Sequence, residues 1–577
     1  MNAERLLQHY EKIADAPDAI ARLRRFILDL AVRGKLVPQD PEDEPAWQLL
    51  GAIRKKRQQQ VDLGILRSAK DIALAPDHPF PFGAPEGWCW VLANDVWDFE
   101  NGDRSKNYPS RDHFVSTGVP FVNAGHLVNE GVSFDDMNYI TKSKFDCLSG
   151  GKLQQGDQIY CLRGSLGKHA LYGFSRPAAI ASSLVILRPV ASNLVPYLRG
   201  YLNSDIASIM LKRFDNGTAQ PNLSSANLRL FEIPLPPLAE QHRIIAKVDE
   251  LMAICDQLEV ARTEREAVRD RLAAASLARL NSPDPEMFRD DARFALEALP
   301  TLTARPNQIK QLRQTILNLA VRGKVVPQDP ADEPAAELLK RLQERKAQAR
   351  KPGIKIDLSA TPHQIPKNWI WASLDQIIVF GPQNGISPRP SNRDDAPKAI
   401  TLTATTSGVF NSDYFKRVEA NIPKSSDYWL EDGDLLFQRG NTPEYVGMAA
   451  VYRGPSHSFL FPDLIIKVRM SKEVDLAFVH LASISPYARR YLTENASGAQ
   501  ATMPKINQTT LLSLPVPLPP LSEQRRIVAK VDELMALCDQ LEASLATAGE
   551  NRRKLLDALL ADALAPADAV TLQEAAE

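Results

Sequence analysis

From Ile244 the apolar positions of the chain recur at Val248, Leu251, Cys255 and Leu258, spaced 4, 3, 4 and 3. That rhythm of about 3.5 residues predicts a helix with one apolar seam, of the kind that packs in a coiled coil or bundle. The seam returns at Ile527, Val531, Leu534, Cys538, Leu541 and Leu545. Each helix is launched by Pro-Leu-Pro-Pro-Leu, a run that is expected neither to continue a strand nor to begin a helix before its last proline. Each carries a glutamate, Glu240 or Glu523, in its first turn, where the helix dipole favours a carboxylate. Continued to about Leu280, the first helix would be roughly 60–65 Å long. A shorter amphipathic pattern, Ile20, Leu23, Ile27 and Leu30, is matched by Ile309, Leu312, Ile316 and Leu319. Both copies close on Val-Arg-Gly-Lys, a glycine C-cap with basic residues in the last turn. These seams predict core contacts within the chain, and any helix face left over can dock a partner subunit.

The chain is therefore built twice. Leu23–Pro45 returns as Leu312–Pro334, offset by 289, and Pro234–Glu259 returns as Pro517–Glu542, offset by 283. Between them Pro85-Glu-Gly-Trp88-Cys-Trp90 is answered by Pro366-Lys-Asn-Trp369-Ile-Trp371. A period near 285 residues is a duplicated domain pair and not a solenoid, whose repeats run at about 20–50 residues. The flanks are nearly identical, whereas about 91–230 and 372–513 share only landmarks. One part of each module does the same job twice, and another part does two different jobs.

The variable stretches predict mixed β structure with short helices. Trp88 and Trp90 alternate like a half-buried strand. Gly156 to Gly164 reads as turn, strand and turn, and Gly433 to Gly440 is its counterpart, one residue shorter between aspartate and arginine. An apolar run follows in each, Ser183–Leu187 and Leu464–Val468, and a polar glycine loop leads to the proline exit. Residues 141–230 hold eleven basic and four acidic side chains, a surplus of seven; 435–510 hold eight and five. A basic face can neutralise phosphates. Arg163 and Arg439, each beside a glycine, could contact guanine through two hydrogen bonds. Arg163 could equally hold a nearby carboxylate such as Asp157.

Length and composition narrow the class. At 577 residues the chain predicts about four domains, and 24% charged and 44% hydrophobic residues suit a globular protein. No run of about 18 apolar residues exists, and Met1–Ile20 lacks a secretory apolar core, so a cytoplasmic location with no membrane partner is expected. Five scattered cysteines without a Cys-x-x-Cys pair argue against disulfides or a zinc site. A net charge of −1 gives no global sign of nucleic acid. No phosphate-binding Gly-rich loop, paired metal-ligating histidines, base-methylating motif or nuclease motif occurs in either module, so no catalytic and no metal-binding residue is assigned.

The doubled helix-launch block, joined to two dissimilar regions opened by Pro-x-x-Trp-x-Trp, resembles the specificity subunit of type I restriction–modification systems. The Leu-Ala-Val-Arg-Gly-Lys block resembles the longer variant, with an extra helical segment before each target recognition domain. The resemblance implies an α+β chain: two β-rich recognition domains separated by long antiparallel coiled-coil helices, with an internal pseudo-twofold duplication. Its expected divisions are a helical segment 1–80, recognition domain 81–233, central helical region 234–361, recognition domain 362–516 and C-terminal helix 517–577. It also implies a non-catalytic reader of a bipartite site in double-stranded DNA, working with two methyltransferase (M) subunits and with restriction (R) subunits. No cofactor is expected on this chain; S-adenosylmethionine would sit on M, and ATP and Mg on R. Polar residues in the matched loops are the candidate DNA contacts: Asn123, Arg163, Ser165, Lys168, Gln220 and Asn222, then Gln438, Arg439, Asn441, Thr442, Gln500 and Lys505. A repeat-built adaptor that bridges proteins without touching DNA explains the helices equally well, but not the polar, divergent inserts.

Overall fold

In the computed structural model, residues 15–564 are described apart from 17, 65, 67–71, 73–77, 216–220, 283, 285, 349–360 and 499–502. The chain forms two compact units, residues 1–264 with 549–577, and residues 265–548. Two 44-residue helices, Leu238–Asn281 and Leu521–Leu564, carry the predicted seams. Each contributes its first part to one unit and its last part to the other.

In the first unit, helix Ala19–Val32 packs against both kinds of segment. Arg24 reaches Asp256 at 2.6 Å and Glu259 at 2.7 Å, while Arg22 pairs with Asp557, and Ala16 and Ala19 bury against Leu556. The second unit repeats the plan around helix Pro306–Ala320. Arg313 reaches Asp539 at 2.5 Å and Glu542 at 3.2 Å, and Arg305 pairs with Asp270. The seam residues Ile244, Cys255, Ile527, Val531 and Cys538 are buried, as contacts within a unit require. The predicted glycine caps form as well. Gly34 and Gly323 take φ +66° and +65°, and Lys35 and Lys324 donate to Leu30 O and Leu319 O, closing a Schellman turn.

The proline exits differ from expectation. Strands Glu232–Leu235 and Pro515–Leu518 run into the Pro-Leu run instead of stopping before it. They pair with Cys89–Leu92 and Ile370–Ser373 in two-stranded ribbons, where a proline without an N–H can face away from the partner. The helices then begin at Leu238 and Leu521, after the last proline.

The first-turn glutamates do more than meet a dipole. Glu240 is buried and accepts from the Trp88 indole at 2.8 Å and from Gln39 at 3.1 Å. Glu523 accepts from Trp369 at 3.0 Å and from Gln328 at 2.6 Å. Beside each, Arg243 forks onto Asp43 and Arg526 onto Asp332, both at 2.6 Å at closest approach. Burial raises both glutamate carboxyls above their ordinary range, against the pull of the tryptophan and glutamine donors. Three constant blocks far apart in sequence are thereby locked to one carboxylate in each unit.

The copies of the helix Ala19–Val32 block differ at a buried acid. Asp29 accepts from the backbone N–H of Asp205 at 2.7 Å; its counterpart in the second unit is Asn318, which donates instead to Asn281 O at 2.9 Å. Burial, with the Asp205 carboxylate adding to it, pushes Asp29 up to about 7. A folded pKa above the unfolded one means that the folded state holds the extra proton, so its stability falls as pH rises between the two values.

Two outcomes are expected. Glu240→Ala strands the buried Trp88 N–H and Gln39 at about 1–3 kcal/mol. Amide hydrogen exchange should then quicken in 34–39, 88–92 and 238–244 and stay unchanged in the matching segments of the second unit. Asp29→Asn should melt progressively higher than the parent protein as pH rises from about 4 to 7. A difference in melting temperature that is constant across that range would refute the assignment.

Candidate nucleic-acid interface

Each unit contains one four-stranded antiparallel sheet with the same strand order. In the first it runs His169–Leu171, Gln158–Cys161, Leu184–Pro189, Trp97–Asn101; in the second, Ala449–Val451, Asp434–Gln438, Ile465–Met470, Ile378–Asn384. One end of the sheet is pinned alike in both. Arg188 forks onto Asp157 at 2.9 and 2.8 Å, and Arg469 donates to Asp434 at 2.8 Å. The same aspartates accept from the backbone of Gln154 and Glu431. Asp157 therefore belongs to Arg188, and among the described residues no carboxylate pairs with the Arg163 side chain.

The opposite end bears the loops. There the chain leaves the strands at Cys161 and Gln438 and returns through a glycine, Gly167 N–H donating to Cys161 O and Gly447 N–H to Gln438 O. These glycines take φ +80° and +73°, and an added Cβ would lie 2.8 Å from Leu211 in one unit and from Leu492 in the other. The anchors are the same but the loops are not: five residues, 162–166, lie between them in the first unit and eight, 439–446, in the second. The second polar loop closes onto this hairpin, Leu223 N–H donating to Leu162 O and Ile506 N–H to Arg439 O.

Those bonds correct the alignment of the two arginines. Leu162 matches Arg439, so Arg163 matches Gly440, and the arginines sit one position out of step, on opposite faces of the extended backbone. Arg163 is exposed and pairs through its backbone with Asn222, also exposed; Gly440 pairs with Lys505, again exposed. Arg439 is half-buried, its guanidinium 3.5 Å from Asp463 O.

The remaining candidates divide. Ser165 and Thr442 are exposed on the loop tips. Lys168 is half-buried and donates to Ala124 O at 3.0 Å, tying the hairpin to the turn at Asn123. Asn123 caps that turn, accepting from Gly125 N–H at 2.8 Å. Gln438 is fully buried and is corrected to an internal lock. It donates to Leu402 O, Thr405 and Thr406 at 2.9–3.1 Å and accepts from Asn441 at 2.6 Å, which occupies that side chain too. Gln220 and Gln500 lie outside the described residues. The basic surplus of 141–230 is also smaller than its count, since Arg188, Arg199 and Arg213 pair with Glu100, Glu130 and Glu232, acids outside that window.

A third loop, absent from the sequence candidates, lies at the same end. Asn101-Gly102 and Asn384-Gly385 repeat at an offset of 283. Asn101 donates to Ser225 at 3.3 Å, and Asn384 accepts from Gln508 at 3.2 Å, again 283 residues on. The repeated Asn-Gly pair was a readable signal hidden in otherwise dissimilar stretches. Among the described residues no group of His, Cys, Asp or Glu is disposed to hold a metal, and no helix is long and apolar enough to cross a membrane.

A family model described as type I restriction modification DNA specificity domain matches residues 85–265 and again 366–547. The EcoEI specificity subunit of Escherichia coli, a type I restriction enzyme component, is 29% identical over 566 residues, covering 94% of each chain. The EcoAI specificity subunit of Escherichia coli is 30% identical over 564 residues, covering 94% of this chain and 93% of that one. A solved chain from work on complex assembly and conformational transition of the type I R-M system overlaps with a TM-score of 0.46 at 20% identity, covering 84% of this chain and 99% of that one.

Proposed function

The chain belongs to the specificity subunits of type I restriction–modification systems, and we propose that it reads a bipartite, asymmetric DNA site, one half with each unit. The observation that carries this is the pair of loop clusters: the same sheet, anchors and glycines present loops of five and eight residues with different side chains. A common frame with unlike tips is what two different half-sites require. In this reading the exposed Arg163, Ser165 and Asn222 in the first unit, and Thr442 and Lys505 in the second, contact base edges, with Asn123, Lys168, Arg439 and Asn441 supporting them.

The chain itself supplies recognition. In this reading two M subunits bring S-adenosylmethionine and methylate adenine, and R subunits bring ATP and Mg. The units divide at 264/265 and at 548/549, both inside a long helix and 284 residues apart. Both helices then act as the ruler between half-sites. Stiffness matters here, because half-sites on one duplex are met together only at a fixed separation.

Inserting four residues, about 6 Å of helix, after both Glu264 and Ala548 should lengthen the gap in the methylated target by one or two base pairs, with both half-sites unchanged. Changed half-sites at a constant gap would refute the ruler. A chain that, with its M partner, shows no salt-sensitive and sequence-selective band shift would instead be an adaptor.

A further inference from the structure

In both units the edge strand of the four-stranded sheet ends at an asparagine, and the chain turns out of the sheet on the following glycine. Gly102 N–H donates to Leu184 O at 3.4 Å and Gly385 N–H to Ile465 O at 3.2 Å. Neither glycine has room for a side chain, since a Cβ would run into the carbonyl oxygens of Ala181 or of Phe461 and Pro462. The arm that follows is therefore fixed in place by backbone contact, at the end of the sheet that carries the recognition loops.

In the first unit the arm is held rigid by a buried acid. Asp103 accepts from Ser105 N–H at 2.6 Å and from Ser149 N–H and Oγ at 2.7 and 3.0 Å. Burial alone would raise its carboxyl, but these donors outweigh it and hold it down at about 2. Its partners are all neutral donors, so the cations beside it are not used up in holding the loop. Arg104 and Lys106 are exposed; Arg104 donates to Ser182 O at 3.3 Å, and among the described residues no acid pairs with Lys106. In the second unit Ser387 donates to Asp463 at 2.5 Å and the exposed Arg389 follows, its backbone O accepting from Glu419 N–H.

The arm and the hairpin loop leave the sheet on strands separated by one other, so their roots lie about 10 Å apart. A major groove is about 12 Å wide, so a hairpin loop set on base edges leaves the arm within side-chain reach of the flanking backbone. Phosphate contacts fix the register of a protein on a duplex without carrying sequence information.

We propose that the Asn-Gly arm of each unit is a phosphate clamp, with Arg104 and Lys106 in the first unit and Arg389 in the second gripping the DNA backbone beside the half-site. This rests on the DNA-reading function above and assigns the arms a role different from that of the loops. Two cations against one make the first unit the larger contributor to salt dependence.

The test is binding of the chain with its M partner to a duplex carrying the mapped target and to a scrambled duplex, over a salt series. Replacing Arg104 and Lys106 together by Ala should weaken both duplexes by the same factor, roughly tenfold per contact at about 0.1 M salt, and flatten the log–log salt slope by about 2. Arg389→Ala should flatten it by about 1. Arg163→Ala should instead erode discrimination between the duplexes. Arm variants that change discrimination at an unchanged slope, or that change neither, overturn the clamp while leaving the reader intact. Absence of salt-dependent binding by the parent complex would overturn the DNA-reading function, and the clamp with it.

Discussion

The structure depends on a buried carboxylate shared by a tryptophan and a glutamine, made once in each unit. Glu240 and Glu523 start the long helices, Trp88 and Trp369 lead into the first ribbon strand of each unit, and Gln39 and Gln328 follow the glycine cap. A charged acceptor removed from water must have its donors, and losing one leaves a penalty that no surface substitution incurs. Three segments spread over about 200 residues are thus constrained to change together or not at all. That constraint accounts for the near identity of the flanks and leaves the loop ends of the sheets free to diverge.

Neither linear module is a finished unit. Helix Ala19–Val32 buries one side on the start of the long helix of its own module and another on residues near Leu556 from the end of the chain. Helix Pro306–Ala320 does the same with Asp539 and Asp270. Repeat and compact unit are offset by about half a helix, so each unit is closed by a segment that the sequence period assigns to the other module. A seam of 3.5-residue spacing shows that a helix has an apolar face; it does not say which helix covers it.

Local chemistry was legible in the sequence where it acts over a few residues. The duplication, the glycine caps at Gly34 and Gly323, the strands after Gly156 and Gly433, and the helix starts after the prolines all follow from backbone rules. What depends on register was not. One residue of difference before Arg439 decides which face an arginine takes, and only the bond from Ile506 to Arg439 O reveals that Gly440, and not Arg439, stands where Arg163 does. Gln438 reads as a loop contact because it is polar and leads into Arg439-Gly440, but three acceptors from another turn, Leu402 O, Thr405 and Thr406, hold its side chain inside. The Asn-Gly arms were missed because a two-residue match has little weight until three-dimensional neighbours such as Ser225 and Gln508 repeat with it.

If the two units are one frame with exchangeable tips, the frame should not care which recognition head it carries. The direct measurement is adenine-methylation mapping by single-molecule sequencing in cells expressing M with a chain in which residues 97–231 are replaced by 378–514. The account predicts a new target whose two halves are alike, both matching the half now read by the second unit. Retention of the original asymmetric target by this well-expressed hybrid, or methylation unrelated to either half, would contradict it.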